Sequence, residues 1–255
     1  MRLLTGALPA TDEPALEMAL PLALLRQAGR GGHGPVLRIY QPTRATVAFG
    51  RRDTRLPGFP GAVAAAQDAG FATVVRAPGG RVVAYTEQSL VIDHIGVDAD
   101  GDRVPIGLTA RFESFGSLYA EALQRLGIDA RIGEVPGEYC PGAQSINARG
   151  VAKIIGTAQR VVRAAWLFSA VVIISDRERL QQILTTVHRH LELPFDQASV
   201  GAVDQEIPGT GVSAVERSVL AGFAARYDLA RSSLAEADLT AARDQVADLR
   251  AQPSV

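Results

Sequence analysis

The chain is short of three kinds of residue. Among its 255 residues there is one cysteine, Cys140, and one lysine, Lys153, so every other member of its 26 cationic side chains is arginine. Aromatic residues make up only 5%. A lone cysteine excludes an internal disulfide. The four histidines form no Cys/His/Asp grouping with metal-ligand spacing, so no metal site is expected. Neither GxSxG nor GxGxxG occurs, which removes the nucleophile-elbow serine and the dinucleotide fingerprint. The sequence also lacks a long apolar run. ALEMALPLALL (15–25) is too short to span a bilayer. Asp12 and Glu13 precede it where a signal peptide would carry basic residues, and Pro21 interrupts it. A cytoplasmic protein without a membrane partner is the expectation. A net charge of -1 gives no field to hold a phosphate backbone, so nucleic acid is not an expected partner.

What remains is ordinary globular material, 47% hydrophobic and 21% charged, long enough to bury a sizeable core. The 15–25 segment reads as a buried helix starting near Thr11 or Asp12. The turn GRGGHG (29–34) lacks the GK[ST] ending of a phosphate loop. Strand-like runs occupy 36–41, 46–50, 72–76, 81–85 and 89–95, with a short helix over 62–70 closed by Gly70. Helical spacing marks 108–127, β character returns over 129–174, and Asp176 opens a helix to about His190. A loop over 194–211 leads to two alanine-rich helices broken near Asp228. Strands come in runs with few helices between them. That predicts an α+β fold with a mixed, mostly antiparallel sheet flanked by helices. Residues 1–210 form the principal domain, and 211–255 a helical segment packed on it.

The two rare residues stand 13 positions apart in EYCPGAQSINARGVAKIIGTAQR (138–160). Pro141 and Gly142 favour a tight turn that holds Cys140 out of a regular ladder; a buried cysteine acting as a small hydrophobe is the plainer alternative. Lys153 interrupts an apolar run in which Val151, Lys153 and Ile155 would share one strand face. A lysine on such a face has a task, a partner or an edge position from which to reach water. Arginine stays charged, whereas a desolvated lysine can lose its proton, so retaining lysine points to titratability or to a compact ammonium. A thiolate nucleophile beside an ammonium suits acyl transfer. A turn at 148–150 would set Lys153 opposite Gln144 or Ser145, with the Pro-Gly bend returning the thiol towards it. Among the histidines, His188 and His190 read as solvated and His33 as a loop residue, while His94 reads as either core or functional.

The stretch RAPGGRVVAYTEQSLVIDHI (76–95) resembles the glycine-pair motif of the biotin/lipoate protein ligase superfamily. RGVAKIIGTAQR (149–160) resembles that family's Gly-x-Lys-x-x-Gly-x-x-Gln-Arg segment. TVAFGRRDT (46–54) is similar to its early Gly-Arg strand end. Tyr-Cys-Pro-Gly ahead of the lysine motif is similar to the cysteine-dependent octanoyl and lipoyl transferases. The resemblance implies a catalytic domain over 1–210 in which Cys140 carries the acyl group as a thioester. Lys153 orients the acyl carbonyl, and Arg76, Gly79, Gly80 and Gly156 contact substrate, the glycine pair offering N–H groups to an oxyanion. It implies an acyl carrier protein or acylated H protein as donor, a lipoyl domain as acceptor, and no required cofactor. Two alternatives remain: an ATP- and magnesium-dependent lipoate ligase, and a non-catalytic binder of acylated lipoyl domains. LFSA (167–170) where ligases show Leu-His-His-Gly, and Pro78 before the glycine pair, depart from the pattern.

Overall fold

The computed structural model describes residues 1–9, 13–97 and 107–251, so Thr11 and Asp12 lie outside the described residues. In chain order the elements are β1 (Arg2–Thr5), α1 (Ala15–Ala28), β2 (Val36–Tyr40), β3 (Thr46–Phe49), α2 (Phe59–Asp68), β4 (Ala72–Val75), β5 (Val83–Tyr85) and β6 (Ser89–Val97). There follow α3 (Leu108–Gln124), β7 (Ala130–Ile132), β8 (Ile146–Ala148), β9 (Ala152–Val162), β10 (Ala165–Ile173) and α4 (Arg177–His190). The last are α5 (Val203–Glu206), α6 (Val212–Ala224), β11 (Ala230–Arg231) and α7 (Glu236–Arg243).

The strands form an eight-stranded sheet, ordered β11-β1-β2-β6-β10-β9-β8-β7, and a three-stranded sheet, β4-β3-β5. In the large sheet only β11–β1 and β1–β2 are parallel; β2–β6, β6–β10, β10–β9, β9–β8 and β8–β7 are antiparallel. The mixed, mostly antiparallel α+β architecture is the one expected. Period-two alternation divides the large sheet between two cores. Leu90 and Ile92 of β6 and Trp166, Phe168 and Val172 of β10 pack with α3 and α6. Ile95, Leu167 and Ile173 face α1, α2, α4 and the small sheet. Towards the chain's end, α6 packs on α3, α7 on α1, and β11 extends the large sheet.

The β8–β9 hairpin fixes where Lys153 points. Arg149 and Gly150 both have positive φ, 56° and 78°, as a two-residue type I′ turn requires, and the Val151 N–H donates to the Ala148 carbonyl at 2.9 Å. The strands pair Ala148 with Ala152 and leave 149–151 as the loop, which sets Lys153 opposite Asn147 instead of Gln144 or Ser145. A second correction follows from a register shift. Ile146 lies opposite Ile155 while Asn147 lies opposite Lys153, so β9 carries one extra residue. A bulge of this kind resets the alternation of faces. Ile154 and Ile155 both enter the core under α3, and Lys153 does not share a face with Ile155. Lys153 and Gly156 instead look into the space between the two sheets.

Candidate functional site

Cys140 belongs to the connection between β7 and β8, and that connection is folded around Glu138. The Glu138 carboxylate, 2% exposed, accepts the Val135 N–H at 3.2 Å, the Gly142 N–H at 2.9 Å and the Ser145 hydroxyl at 2.7 Å. Within this frame Cys140 adopts φ 44°, a left-handed conformation that is uncommon for a residue with a side chain. Its sulfur accepts two hydrogen bonds, from Arg76 Nη2 at 3.0 Å and from the Arg81 main-chain N–H at 3.2 Å. A cation and a fixed dipole aimed at a sulfur are what a thiolate nucleophile uses. Arg81 is itself anchored to the fully buried Asp53 at 3.1 Å.

Gly80 cannot be replaced without moving this arrangement. Its φ is 104°, and a Cβ there would lie 2.0 Å from Arg76 Nη2 and 2.7 Å from the Cys140 sulfur. Gly79 differs: a Cβ there would meet nothing closer than the Gln159 carbonyl oxygen at 3.9 Å. Its N–H already donates to that carbonyl at 3.3 Å. The glycine pair therefore does not offer both of its N–H groups to an oxyanion, because β9 takes the first.

Lys153 is 2% exposed. Its Nζ donates to the carbonyls of Tyr139 and Cys140, each at 2.9 Å, and to Glu138 Oε1 at 3.4 Å. Three acceptors match the three protons of an ammonium. Burial lowers the lysine below its ordinary value of 10.5, with the charge of Glu138 opposing. The sequence pairing of Cys140 and Lys153 is thus realised through the main chain: the ammonium holds the cysteine's carbonyl, while the cation on the sulfur is Arg76.

Two cavities meet at this sulfur. The first, with about 710 Å³ of empty space including its mouth, lies between the sheets and is lined by Cys140, Lys153, Arg76 and Gly156 at one end. Val91, Val171 and Ala158 form part of its floor, Met18 and Pro21 of α1 and Val83 its cover, and Tyr40, Asp93 and Ser169 also line it. A Cβ on Gly156 would approach Lys153 Cε at 3.5 Å, an ordinary contact, so the glycine's effect is to leave that space empty. The second, about 1070 Å³, is an open groove past Gly79, Gly80, Leu108, Phe112 and Pro141 that shares Cys140, Thr157 and Ala158 with the first. The junction presents the Cys140 thiol at the mouth of a mostly apolar chamber.

Sequence reasoning did not single out Glu138, Arg81 or Asp93. Glu138 stood two positions before the lone cysteine, and an acid in the same short segment as the only lysine was the available signal. His188 is buried, not solvated: its Nδ1 lies 2.8 Å from the Leu184 carbonyl and its ring stacks on Phe195 at 4.6 Å. His190 is exposed and His33 pairs with Asp238 at 3.0 Å. Among the described residues no group of three or more His, Cys, Asp or Glu could hold a metal, and no helix is long and apolar enough to cross a membrane.

The family model "Lipoyl protein ligase A/B catalytic domain" matches residues 13–224. An octanoyl-GcvH:protein N-octanoyltransferase of Anoxybacillus flavithermus is 32% identical over 141 residues, 55% of this chain and 49% of that protein. One of the same name from an Exiguobacterium species is 34% identical over 130 residues, covering 51% and 44%. The chain thus spans about half the length of the curated relatives it matches. A crystal structure of a lipoate-protein ligase A bound with ATP superposes with a TM-score of 0.74 at 20% identity, covering 97% of this chain and 95% of that one. At that identity the likeness is one of fold.

Proposed function

Because the chain belongs to the lipoyl protein ligase A/B catalytic domain family, we propose that it is an acyltransferase acting in protein lipoylation. It moves an octanoyl or lipoyl group through a Cys140 thioester onto the lysine amine of a lipoyl domain. The donor is an acylated H protein of the kind the relatives' name specifies. The observation that carries this reading is the placement of the only cysteine. Its sulfur, held by Arg76 and Arg81, stands where a mostly apolar chamber opens into a groove.

The sulfur attacks the acyl carbonyl carbon, a C–S bond forms, and the donor's own bond to that carbon breaks, its leaving group departing with a proton. The acceptor amine then attacks the thioester, a C–N bond forms and the Cys140 sulfur leaves with the electron pair, stabilised by the two donors that faced it before. Lys153 keeps the cysteine loop in place. Of its three contacts the one to Glu138 is the longest, at 3.4 Å, so that proton is the one an incoming acyl carbonyl can share. Burial eases proton loss from Lys153, so it can give a proton to the donor's departing amine in the first step and, left neutral, take one from the attacking amine in the second. Neither step calls for nucleotide, since the acyl carbon is already bonded to a leaving group.

Intact-mass measurement after mixing the protein with an octanoylated H protein, without nucleotide, tests the reading. One octanoyl adduct on Cys140, transferable to a lipoyl domain, is expected. An absolute requirement for ATP, magnesium and free acid would put the ligase alternative in its place.

A further inference from the structure

Cations and acids nearly balance over the whole sequence, 26 against 27, but they are not evenly placed. Several surface arginines have a carboxylate beside them: Arg149 pairs with Glu206, Arg243 with Glu236 and Arg250 with Glu13. Arg26, Arg30, Arg51, Arg160 and Arg163 differ. Among the described residues none of these five forms an ion pair. Like charges gathered without counter-charge repel one another, and a partner of opposite charge relieves them.

Two elements lead from the chamber to these arginines. On β9, Gly156, Ala158, Arg160 and Val162 share a face, since the pairing with β10 runs unbroken through them. Gly156 and Ala158 line the chamber, whereas Val162 lines a surface dent with Arg26, Gly29, Arg30 and Arg163. Four residues of strand put Val162 about 14 Å from Ala158. Helix α1 runs the same way, with Met18 and Pro21 over the chamber and Arg26 in its last turn. Its end is packed closely on the β9–β10 turn, because a Cβ on Gly29 would lie 2.8 Å from the Arg163 carbonyl oxygen. Arg160 donates to the Ala77 carbonyl at 2.9 Å, at the foot of the loop that carries Gly79 and Gly80. Arg51 follows Gly50, where a Cβ would lie 2.0 Å from the Gly80 carbonyl oxygen. Burial, and then the charges of Arg51 and Arg26, push the Arg160 guanidinium below its ordinary value, so the three stand within one another's field. The five thus form a strip from the glycine loop at the cysteine to the β9–β10 turn.

We propose that this arginine strip is the docking surface for the proteins that bring and receive the acyl group, and that it takes a protein face rich in aspartate and glutamate around the modified lysine. The assignment rests on the reading of Cys140 as the acyl-bearing residue. One thiol serves both half-reactions, so donor and acceptor present their lysine at the same mouth in turn, and a surface beside that mouth meets both. A nucleic acid or a membrane has no such lysine to deliver. Guanidinium forks pair with carboxylates in two parallel hydrogen bonds, which fixes orientation as well as attraction. Complementary charge also speeds the encounter of the two proteins.

The test reverses two exposed charges at the far end of the strip, Arg30→Glu together with Arg163→Glu. With octanoylated H protein as donor, the second-order rate of Cys140 acylation, read by intact mass, should fall roughly 10-fold or more. The wild-type rate should drop steeply as salt is raised, and the variant's should not. Octanoyl-N-acetylcysteamine presents no protein face and should acylate both proteins at one rate. An equal loss with that small thioester, or equal rates with the H protein, would overturn the docking surface. Unchanged transfer from the H protein with loss of binding to phosphatidylserine vesicles would give the strip to an anionic lipid surface instead. Calorimetry with octanoylated H protein and Cys140→Ala, with and without the two reversals, separates docking from thiol chemistry. Binding that the reversals weaken, with no adduct on the wild-type thiol from either donor, would remove the transferase reading and leave the docking surface standing.

Discussion

Two buried titratable groups, Lys153 and His94, make the informative comparison. Both are desolvated, at 2% and 1% exposure, and burial lowers the pKa of each. Their surroundings differ completely. Lys153 meets two carbonyls and a carboxylate beside the cysteine. His94 faces the opposite side of the sheet, where Phe115, Trp166, Phe223 and Tyr227 meet its ring edge to face at 4.7–5.5 Å, and neither ring nitrogen has a hydrogen-bond partner. A depressed pKa alone would rank them together. What separates them is convergence: acceptors, the cysteine thiol and two cavities meet at one, and only rings at the other.

The largest effect expected on that comparison comes from the cysteine that Lys153 serves. Cys140→Ala should abolish both the acyl adduct and transfer, since no other side chain in the sequence can form a thioester. Retained transfer would make the convergence at Lys153 structural only. Next comes Lys153 itself. Lys153→Arg should cost nearly as much turnover as Lys153→Ala, within the ~10²–10⁴-fold range of general acid–base contributions. A planar guanidinium, permanently protonated, cannot place one compact ammonium against two carbonyls and a carboxylate. Steady-state transfer to a lipoyl domain, with circular dichroism as the folding control, measures it. An arginine variant keeping half the wild-type rate would show that charge alone suffices.

Glu138→Gln should act mainly on stability. It leaves a buried ammonium without its counter-charge, a change typically costing about 3–5 kcal/mol. It also weakens the acceptor around which the cysteine loop folds. Urea denaturation reads the loss, and an unchanged midpoint would mean that the loop carbonyls alone satisfy Lys153.

The sequence showed the α+β class, because the alternation of 89–95 and the helical spacing of 108–127 are local signals of long, regular elements. It also exposed Cys140 and Lys153 through their rarity. The contact between them was hidden, because it depends on a turn centred one residue further along and on one extra residue in β9, neither of which periodicity reports. Asp93 was hidden differently. It occupies an inward position of an otherwise apolar strand, and only the gap between the sheets turns that position into a chamber wall. His188 read as solvated because its burial depends on Phe195 folding back over the helix end, a non-local contact.

The smallest effect on activity should come from His94, and it shows in acid instead. In the folded protein burial holds the imidazole at about 3, against 6.5 for the exposed group. Between those values the unfolded chain binds the proton and the folded chain does not. The stabilising contribution is therefore complete above about 6.5 and is lost progressively as the pH falls towards 3. His94→Phe keeps an aromatic edge against the surrounding rings and removes the two unpaired nitrogens. Transfer near neutral pH should be unchanged, since His94 borders neither cavity. Stability there should move by less than ~1.5 kcal/mol, the range for volume-conserving swaps in a core. The decisive measurement is the urea midpoint of both proteins at several pH values from neutral down to about 4. The wild type should lose stability more steeply than the variant through that interval. Parallel curves would mean that the imidazole is protonated in place or already reaches a polar partner, and the contrast with Lys153 would then rest on geometry alone.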